Sequence, residues 1–112
     1  MEVSADRQDG ILSVCVQGRI DGTNVRRFME TVRSATEDGD RAVIMDFERL
    51  VYISSSGLRA VLMTAKDLRS RDVAFALCSL PDVVRTAFKR SGFDKIITIH
   101  PTRADALAAL ER

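Results

Sequence analysis

Three consecutive hydroxyls and a glycine, Ser54-Ser55-Ser56-Gly57, stand between an apolar run, Ala42-Val43-Ile44-Met45-Asp46-Phe47, and an amphipathic segment that begins at Leu58. This order puts the serines where a strand passes through a short turn into a helix. A helix N-terminus has about four backbone N–H groups without intrahelical partners, together with the positive end of the macrodipole. Serines at such a place either cap the helix or seat a phosphate, and both chemistries draw on the same N–H groups.

No other constellation competes with this turn. His100 is the only histidine and is followed by Pro101, so it reads as an ordinary surface residue. A nucleophile elbow of the form G-x-S-x-G ending at Gly57 would need glycine at position 53, where Ile53 stands. One histidine and two scattered cysteines do not make a four-ligand metal site. Cys15 and Cys78 each lie inside an apolar, strand-like run without CxxC spacing, and read as buried structural thiols. Asp21, Asp46 and Asp82 could gather at one end of a sheet, although solvated loop acids and helix caps account for them more simply. Neither G-x-x-x-x-G-K-S/T nor G-x-G-x-x-G occurs, and the basic pairs Arg26-Arg27 and Lys89-Arg90 have no interleaved aromatics.

Length and charge restrict the class further. At 112 residues the chain suits one domain over 1–112 with one sizeable core. Seventeen Lys and Arg against 16 Asp and Glu give a net charge of +1, which supplies no long-range field for nucleic acid or anionic lipid. The opening Met1-Glu2-Val3-Ser4-Ala5-Asp6 lacks the basic and apolar regions of a signal peptide, and no run of about 18 apolar residues occurs. A cytoplasmic location without membrane insertion is expected.

The elements that must position the turn can be read from periodicity. Leu12, Val14 and Val16 alternate with Ser13, Cys15 and Gln17 as in a strand closed by Gly18, and Asp9-Gly10 suits a hairpin back to Val3, Ala5 and Arg7. Val25, Phe28, Met29 and Val32 recur at helical spacing after Asp21-Gly22, with Thr23 or Asn24 as the cap and Gly39 ending the turn that follows. The run from Arg41 to Phe47 reads as a central strand covered on both faces. Leu58, Val61, Leu62, Ala65 and Leu68 form the apolar stripe of a second helix, and Val73 to Leu80 reads as the next strand. Pro81 opens a third helix that would bury Val83, Val84, Ala87 and Phe88 and stop at Gly92. Ile96, Ile97 and Ile99 make a last short strand, and Thr102 with Asp105 resembles a capping box for a final helix to Leu110. Met29, Met45 and Met63 are expected in the core. The sum is an α/β fold, a mixed central sheet of about five strands with about four helices.

Taken together, Tyr52-Ile53-Ser54-Ser55-Ser56-Gly57-Leu58-Arg59, the earlier Gly18-Arg19-Ile20-Asp21 and the later Ser91-Gly92-Phe93 resemble a STAS domain of the bacterial anti-sigma factor antagonist type over nearly the whole chain. The resemblance implies a STAS-like fold and a regulator without enzymatic activity or cofactor. Its unphosphorylated form would bind an anti-sigma factor that is also a serine kinase, releasing a sigma factor, and phosphorylation would end the association. Matched on Gly57, the acceptor is Ser56, with Ser55 as the neighbouring alternative. Ser54 stands where many phosphorylated members carry aspartate, and Asp21 matches the family's acid near the switch. Asp21, Thr23, Ser54, Ser55, Ser56, Gly57 and Arg59 are the implied partner-binding residues. The implied partners are proteins, with no nucleic acid and at most a weak homodimer. The serine at 54 also motivates an alternative, a STAS scaffold or accessory subunit that is not phosphorylated, serving a lipid-transport ATPase or a stress-signalling assembly.

Overall fold

The computed structural model describes residues 1–111. Its elements run β1 (Glu2–Gln8), β2 (Ile11–Ile20), α1 (Val25–Ala35), β3 (Ala42–Asp46), β4 (Leu50–Ile53), α2 (Ser55–Ser70), β5 (Ala74–Cys78), α3 (Asp82–Ser91), a 3-10 turn (Phe93–Lys95), β6 (Thr98–His100) and α4 (Arg103–Leu110). The sheet order is β1-β2-β3-β5-β6, with β4 paired to β2 beside that path. Among the described residues only β1 and β2 pair antiparallel; the other pairs are parallel. The hairpin turns at Asp9 and Gly10, whose φ values of 56° and 78° are both left-handed, the conformation an Asp-Gly turn tolerates best.

Alternation along the strands builds two cores. Leu12, Val14, Val43, Met45 and Leu77 face one side and pack with Phe28 and Val32 of α1, Val61 and Leu68 of α2, and Val84 and Phe88 of α3. Ile11, Ala42, Ile44 and Cys78 face the other side and are covered by α4 through Ala106. Burial on both faces is why the β3 run is continuously apolar. Among the described residues no helix is long and apolar enough to cross a membrane.

Several expectations need correction. The segment before Ser54 contains a strand, β4, making six strands where about five were expected. β2 has ten residues and β3 only five, so the second half of β2 has a free edge once β3 has ended. After the turn at Phe47 the chain returns to that edge, pairing Leu50 with Gly18 and Ile53 with Ile20 across a bulge at Gly18/Arg19. The last strand spans Thr98–His100, because Gly92 in the left-handed conformation stops α3 and the 3-10 turn carries Ile96 and Ile97 past as a loop. Met45 is fully buried, but Met29 is only half-buried and Met63 is 57% exposed beside the groove between α1 and α2. Val83 is 68% exposed, because it precedes the buried line of Val84 and Phe88 on α3. Cys15 is half-buried where β1 and β2 extend beyond the cover of α4, while Cys78 is buried as expected. Asp46, expected as a solvated acid, is buried at the end of β3 and accepts the Glu48 N–H at 2.9 Å. His100 is half-buried, and its carbonyl accepts the Ser79 N–H at 3.2 Å.

One ion pair ties the hairpin to the α1–β3 connection. Arg7 Nε donates to Asp40 Oδ1 at 2.6 Å and Nη2 to Oδ2 at 2.8 Å, while the Glu37 N–H donates to Asp40 Oδ2 at 2.8 Å. The Arg7 guanidinium holds the Asp40 carboxyl below its usual range against the opposing effect of burial. A lowered folded-state value contributes stability above the unfolded carboxylate value and loses it as pH falls through the folded one. Asp40→Asn is therefore expected to cost about 1–3 kcal/mol at neutral pH and to flatten the loss of stability below about pH 4, as measured by urea denaturation across pH. The first turn of α2 supplies a second expectation. A Cβ added at Gly57 would lie 2.7 Å from Ile53 Cγ1, 3.0 Å from Ile20 Cγ2 and 3.2 Å from the Ile20 carbonyl oxygen. Gly57→Ala is expected to cost about 1–3 kcal/mol by overpacking, lowering the Tm by about 4 °C or more, a loss that thermal denaturation would detect.

Candidate functional site

Two turns meet at the C-terminal ends of β2 and β4. The Ser54 N–H donates to the Ile20 carbonyl at 2.9 Å, which fixes the start of α2 against the end of β2. Ser54 is the N-cap: its backbone is extended, its Oγ accepts the Gly57 N–H at 3.1 Å, and its carbonyl accepts the Leu58 N–H at 2.9 Å. This hydroxyl performs locally what an aspartate would perform at an N-cap. Ser54 Oγ also lies 2.9 Å from Ser56 Oγ. Either hydroxyl can be the donor of this bond, since Ser54 Oγ keeps a lone pair and a proton beyond its contact with the Gly57 N–H.

The three serines therefore differ. Ser54 is half-buried and capping, Ser55 is exposed at the first helical position, and Ser56 is half-buried one residue further on. A Cβ at Gly22 would lie 3.8 Å from Ser56 Oγ, so the β2–α1 turn passes directly over that hydroxyl without a side chain in the way. Among the described residues the Ser55 and Ser56 N–H groups have no backbone partner outside α2, and their place in its first turn gives them none within it.

The β2–α1 turn is held by its own side chains. Asp21 Oδ1 accepts the Thr23 hydroxyl at 2.6 Å and the Thr23 N–H at 2.9 Å. Those donations, aided by Arg19 at 3.7 Å, hold the Asp21 carboxyl below the usual carboxylate range. Asn24 occupies the N-cap position of α1 but does not cap it. Its Oδ1 accepts the Asp21 N–H at 3.0 Å and its Nδ2 donates to the Arg19 carbonyl at 2.9 Å. Neither Thr23 nor Asn24 caps α1 by its side chain, because both are used within the turn that precedes it.

The expected site residues thus divide by element. Asp21 and Thr23 lie on one turn and Ser54, Ser55, Ser56 and Gly57 on the other, brought together by the Ile20–Ser54 and Gly22–Ser56 approaches. Arg59 is exposed, about one helical turn beyond Ser55 and Ser56, without an ion pair among the described residues. Three neighbours were not among the expected site residues: Gly22, whose missing side chain leaves room for Ser56, Asn24, which was expected only as a cap, and Tyr52, over which the Arg19 guanidinium stacks at 4.5 Å. The Asp21-Gly22-Thr23-Asn24 composition was a readable signal for the self-bonded turn. The Arg19–Tyr52 stack had none, because it depends on β4 pairing with β2.

The remaining reactive groups stand apart. His100 ends β6, and Asp82 is exposed on α3, paired with Arg85. Burial pushes the Cys78 thiol up to about 11, and burial followed by the charge of Asp46 raises that of Cys15, so both are poor nucleophiles near neutral pH. Among the described residues no group of three or more His, Cys, Asp or Glu is placed to hold a metal ion.

Comparison with known proteins matches this geometry to a family. The model for the STAS domain matches residues 2–106. BtrV of Bordetella bronchiseptica, named as a candidate anti-sigma factor antagonist, is 38% identical over 111 residues, covering 99% of this chain and 96% of that protein. The fold is shared with an anti-sigma factor antagonist from Mycobacterium paratuberculosis at a TM-score of 0.90, with 23% identity over 99% of this chain and 94% of that one. It is also shared with the anti-sigma factor antagonist SpoIIAA in its unphosphorylated form, at a TM-score of 0.81 and 20% identity over 98% and 96% of the two chains. SpoIIAA of Bacillus in its phosphorylated form aligns at a TM-score of 0.73 with 20% identity over 97% and 99%. The family match over most of the chain and the full-length likeness to BtrV converge on one conclusion: this chain belongs to the STAS domain family, among its anti-sigma factor antagonists.

Proposed function

We propose that the chain works by partner switching. In its unphosphorylated form it binds an anti-sigma factor that is also a serine kinase, which releases a sigma factor, and phosphorylation of Ser56 ends that association. The observation that carries this reading is the division of labour within the serine run. Ser54 takes the cap, which leaves the Ser56 hydroxyl oriented, half-exposed and beneath Gly22. SpoIIAA, which has the same fold, exists in unphosphorylated and phosphorylated forms. Asp21, Thr23, Ser54, Ser55 and Arg59 are the docking residues, with Ser55 the second possible acceptor, while Gly57, expected among them, is buried against Ile53 and Ile20 and acts by seating α2. ATP belongs to the kinase partner in the cytoplasm, and the chain itself needs no cofactor.

The energetics favour a switch that acts on binding more than on folding. A phosphate adds about 1.5 to 2 negative charges, and at the α2 N-terminus it gains about 0.3–2 kcal/mol from the dipole and the free N–H groups of Ser55 and Ser56. Burying the same group in an interface without a cation costs several kcal/mol, and each 1.4 kcal/mol is about tenfold in affinity. Ser56→Asp is therefore expected to weaken binding of the anti-sigma factor kinase by about tenfold or more while leaving the Tm within a few degrees, as measured by calorimetric titration and thermal melts. A large loss of stability with unchanged affinity would refute the reading.

Ser54 supplies a separate expectation. Ser54→Ala removes the cap and should cost about 1 kcal/mol, whereas Ser54→Asp keeps an acceptor for the Gly57 N–H and should retain stability. Phosphorylation by the kinase partner should slow with Ser54→Ala and persist with Ser54→Asp, with intact mass spectrometry following the added phosphate.

A further inference from the structure

The end of the molecule that carries the two turns has an unusual charge arrangement. Within the segments 19–27 and 51–59, Arg19, Arg26, Arg27 and Arg59 stand against Asp21 alone, in a chain whose net charge is only +1. The rest of the chain is therefore slightly acidic. Helix N-termini favour carboxylates, yet neither α1 nor α2 has an acid in its first turn, and α1 has Arg26 and Arg27 there. The two positive helix ends lie side by side, since a Cβ at Gly22 would come within 3.8 Å of Ser56 Oγ. Arg26 and Arg27 add positive charge where the α1 dipole is already positive, which local helix stability does not favour, while Arg27 Nη2 donates to the Met1 carbonyl at 3.2 Å and Arg19 pairs with Asp21.

The apolar part of the surface adjoins this charge. Val51 is 67% exposed and Tyr52 39% exposed on β4, immediately before the serine run, and the Arg19 guanidinium lies 4.5 Å over the Tyr52 ring. Exposed tyrosine and arginine beside one another are the residue types that anchor protein interfaces. The bulge at Gly18/Arg19 is what brings the β2 arginine into register with Tyr52.

We propose that this surface takes an acidic face of its partner: a carboxylate-rich helix or loop seated on Arg26 and Arg59, with an apolar contact on Tyr52. The proposal rests on the partner-switching reading above and adds the chemistry of the partner. It also gives the switch an electrostatic mechanism. Four arginines against one aspartate leave an excess of three positive charges, and a phosphate of about −1.5 to −2 removes most of that excess. Phosphorylation then weakens the attraction that the partner reads, besides obstructing the turn.

The test uses the purified full-length chain and the anti-sigma factor kinase of the same organism, with Kd measured between about 0.05 and 0.5 M NaCl, a range over which exposed charges become screened. Wild-type affinity is expected to fall at least tenfold across that range. The double variant Arg26→Glu, Arg59→Glu should bind at least tenfold more weakly at low salt and lose most of the salt dependence. Its Tm should be unchanged or raised, because a carboxylate replaces an arginine in the first turn of α1. Arg59→Gln alone, which adds no new charge, should weaken low-salt binding about threefold. Lys66→Glu, about three turns along α2, should bind like the wild type. Tight, salt-independent binding, or variants that bind like the wild type, would overturn this inference while leaving partner switching intact. Preference of the wild type for a single-stranded oligonucleotide over the kinase would also overturn it. Absence of any binding to the kinase at all salt concentrations would overturn both readings.

Discussion

The seat of α2 on the ends of β2 and β4 is the contact on which the rest of the site depends. Gly57 lies so close to Ile53 and Ile20 that one additional carbon would collide with the Ile53 side chain and crowd the Ile20 side chain and carbonyl. That proximity allows the Ser54 N–H to reach the Ile20 carbonyl, so α2 starts where β2 ends. The same contact places Ser56 under Gly22 and sets two helix N-termini side by side. Interiors packed at crystal-like density do not absorb a misplaced methyl group, so the glycine is a geometric requirement of the fold before it is part of any recognition motif.

Capping and switching can share this site because they use different donors. Ser54 satisfies the Gly57 N–H, while the Ser55 and Ser56 N–H groups remain at the positive end of α2. A negative group attached to Ser56 meets unpaired donors and a favourable dipole without displacing the cap. The serine at position 54 thus has a physical role in the absence of a carboxylate: its oxygen caps the Gly57 N–H, and its hydroxyl shares a hydrogen bond with that of Ser56. Across the contact, Asp21 is held by Thr23 and Arg19, which keeps the neighbouring turn rigid and its carboxylate charged.

The legible parts of the fold were those whose signal is local. The Asp9-Gly10 hairpin, the continuous β3 run, the stripe of α2, a cap somewhere within the serine run and the cap at Thr102 follow from backbone preference and short-range periodicity. What was not legible arises from pairing at a distance. β4 is four residues long with exposed Val51 and Tyr52 at its centre, so it carries no alternation, and it is a strand only because β2 outlasts β3. Met63 and Val83 have apolar side chains at helical spacing, yet they lie on faces that no element covers. Thr23 and Asn24 are residues of the capping type, but the self-bonded Asp21 turn claims their side chains first.

The sequence by itself determined the order of strands and helices apart from β4, the glycine-terminated serine run at a helix start, and the resemblance that names the family, because these depend on residue type and short spacing. Only the tertiary structure decided which serine caps and which faces Gly22, that Arg19 stacks on Tyr52, and that the arginines of two helices share one end of the molecule. Those facts depend on the close approach of β2, β4 and α2, set by pairing and packing between segments more than thirty residues apart in the chain, about which local preference says nothing.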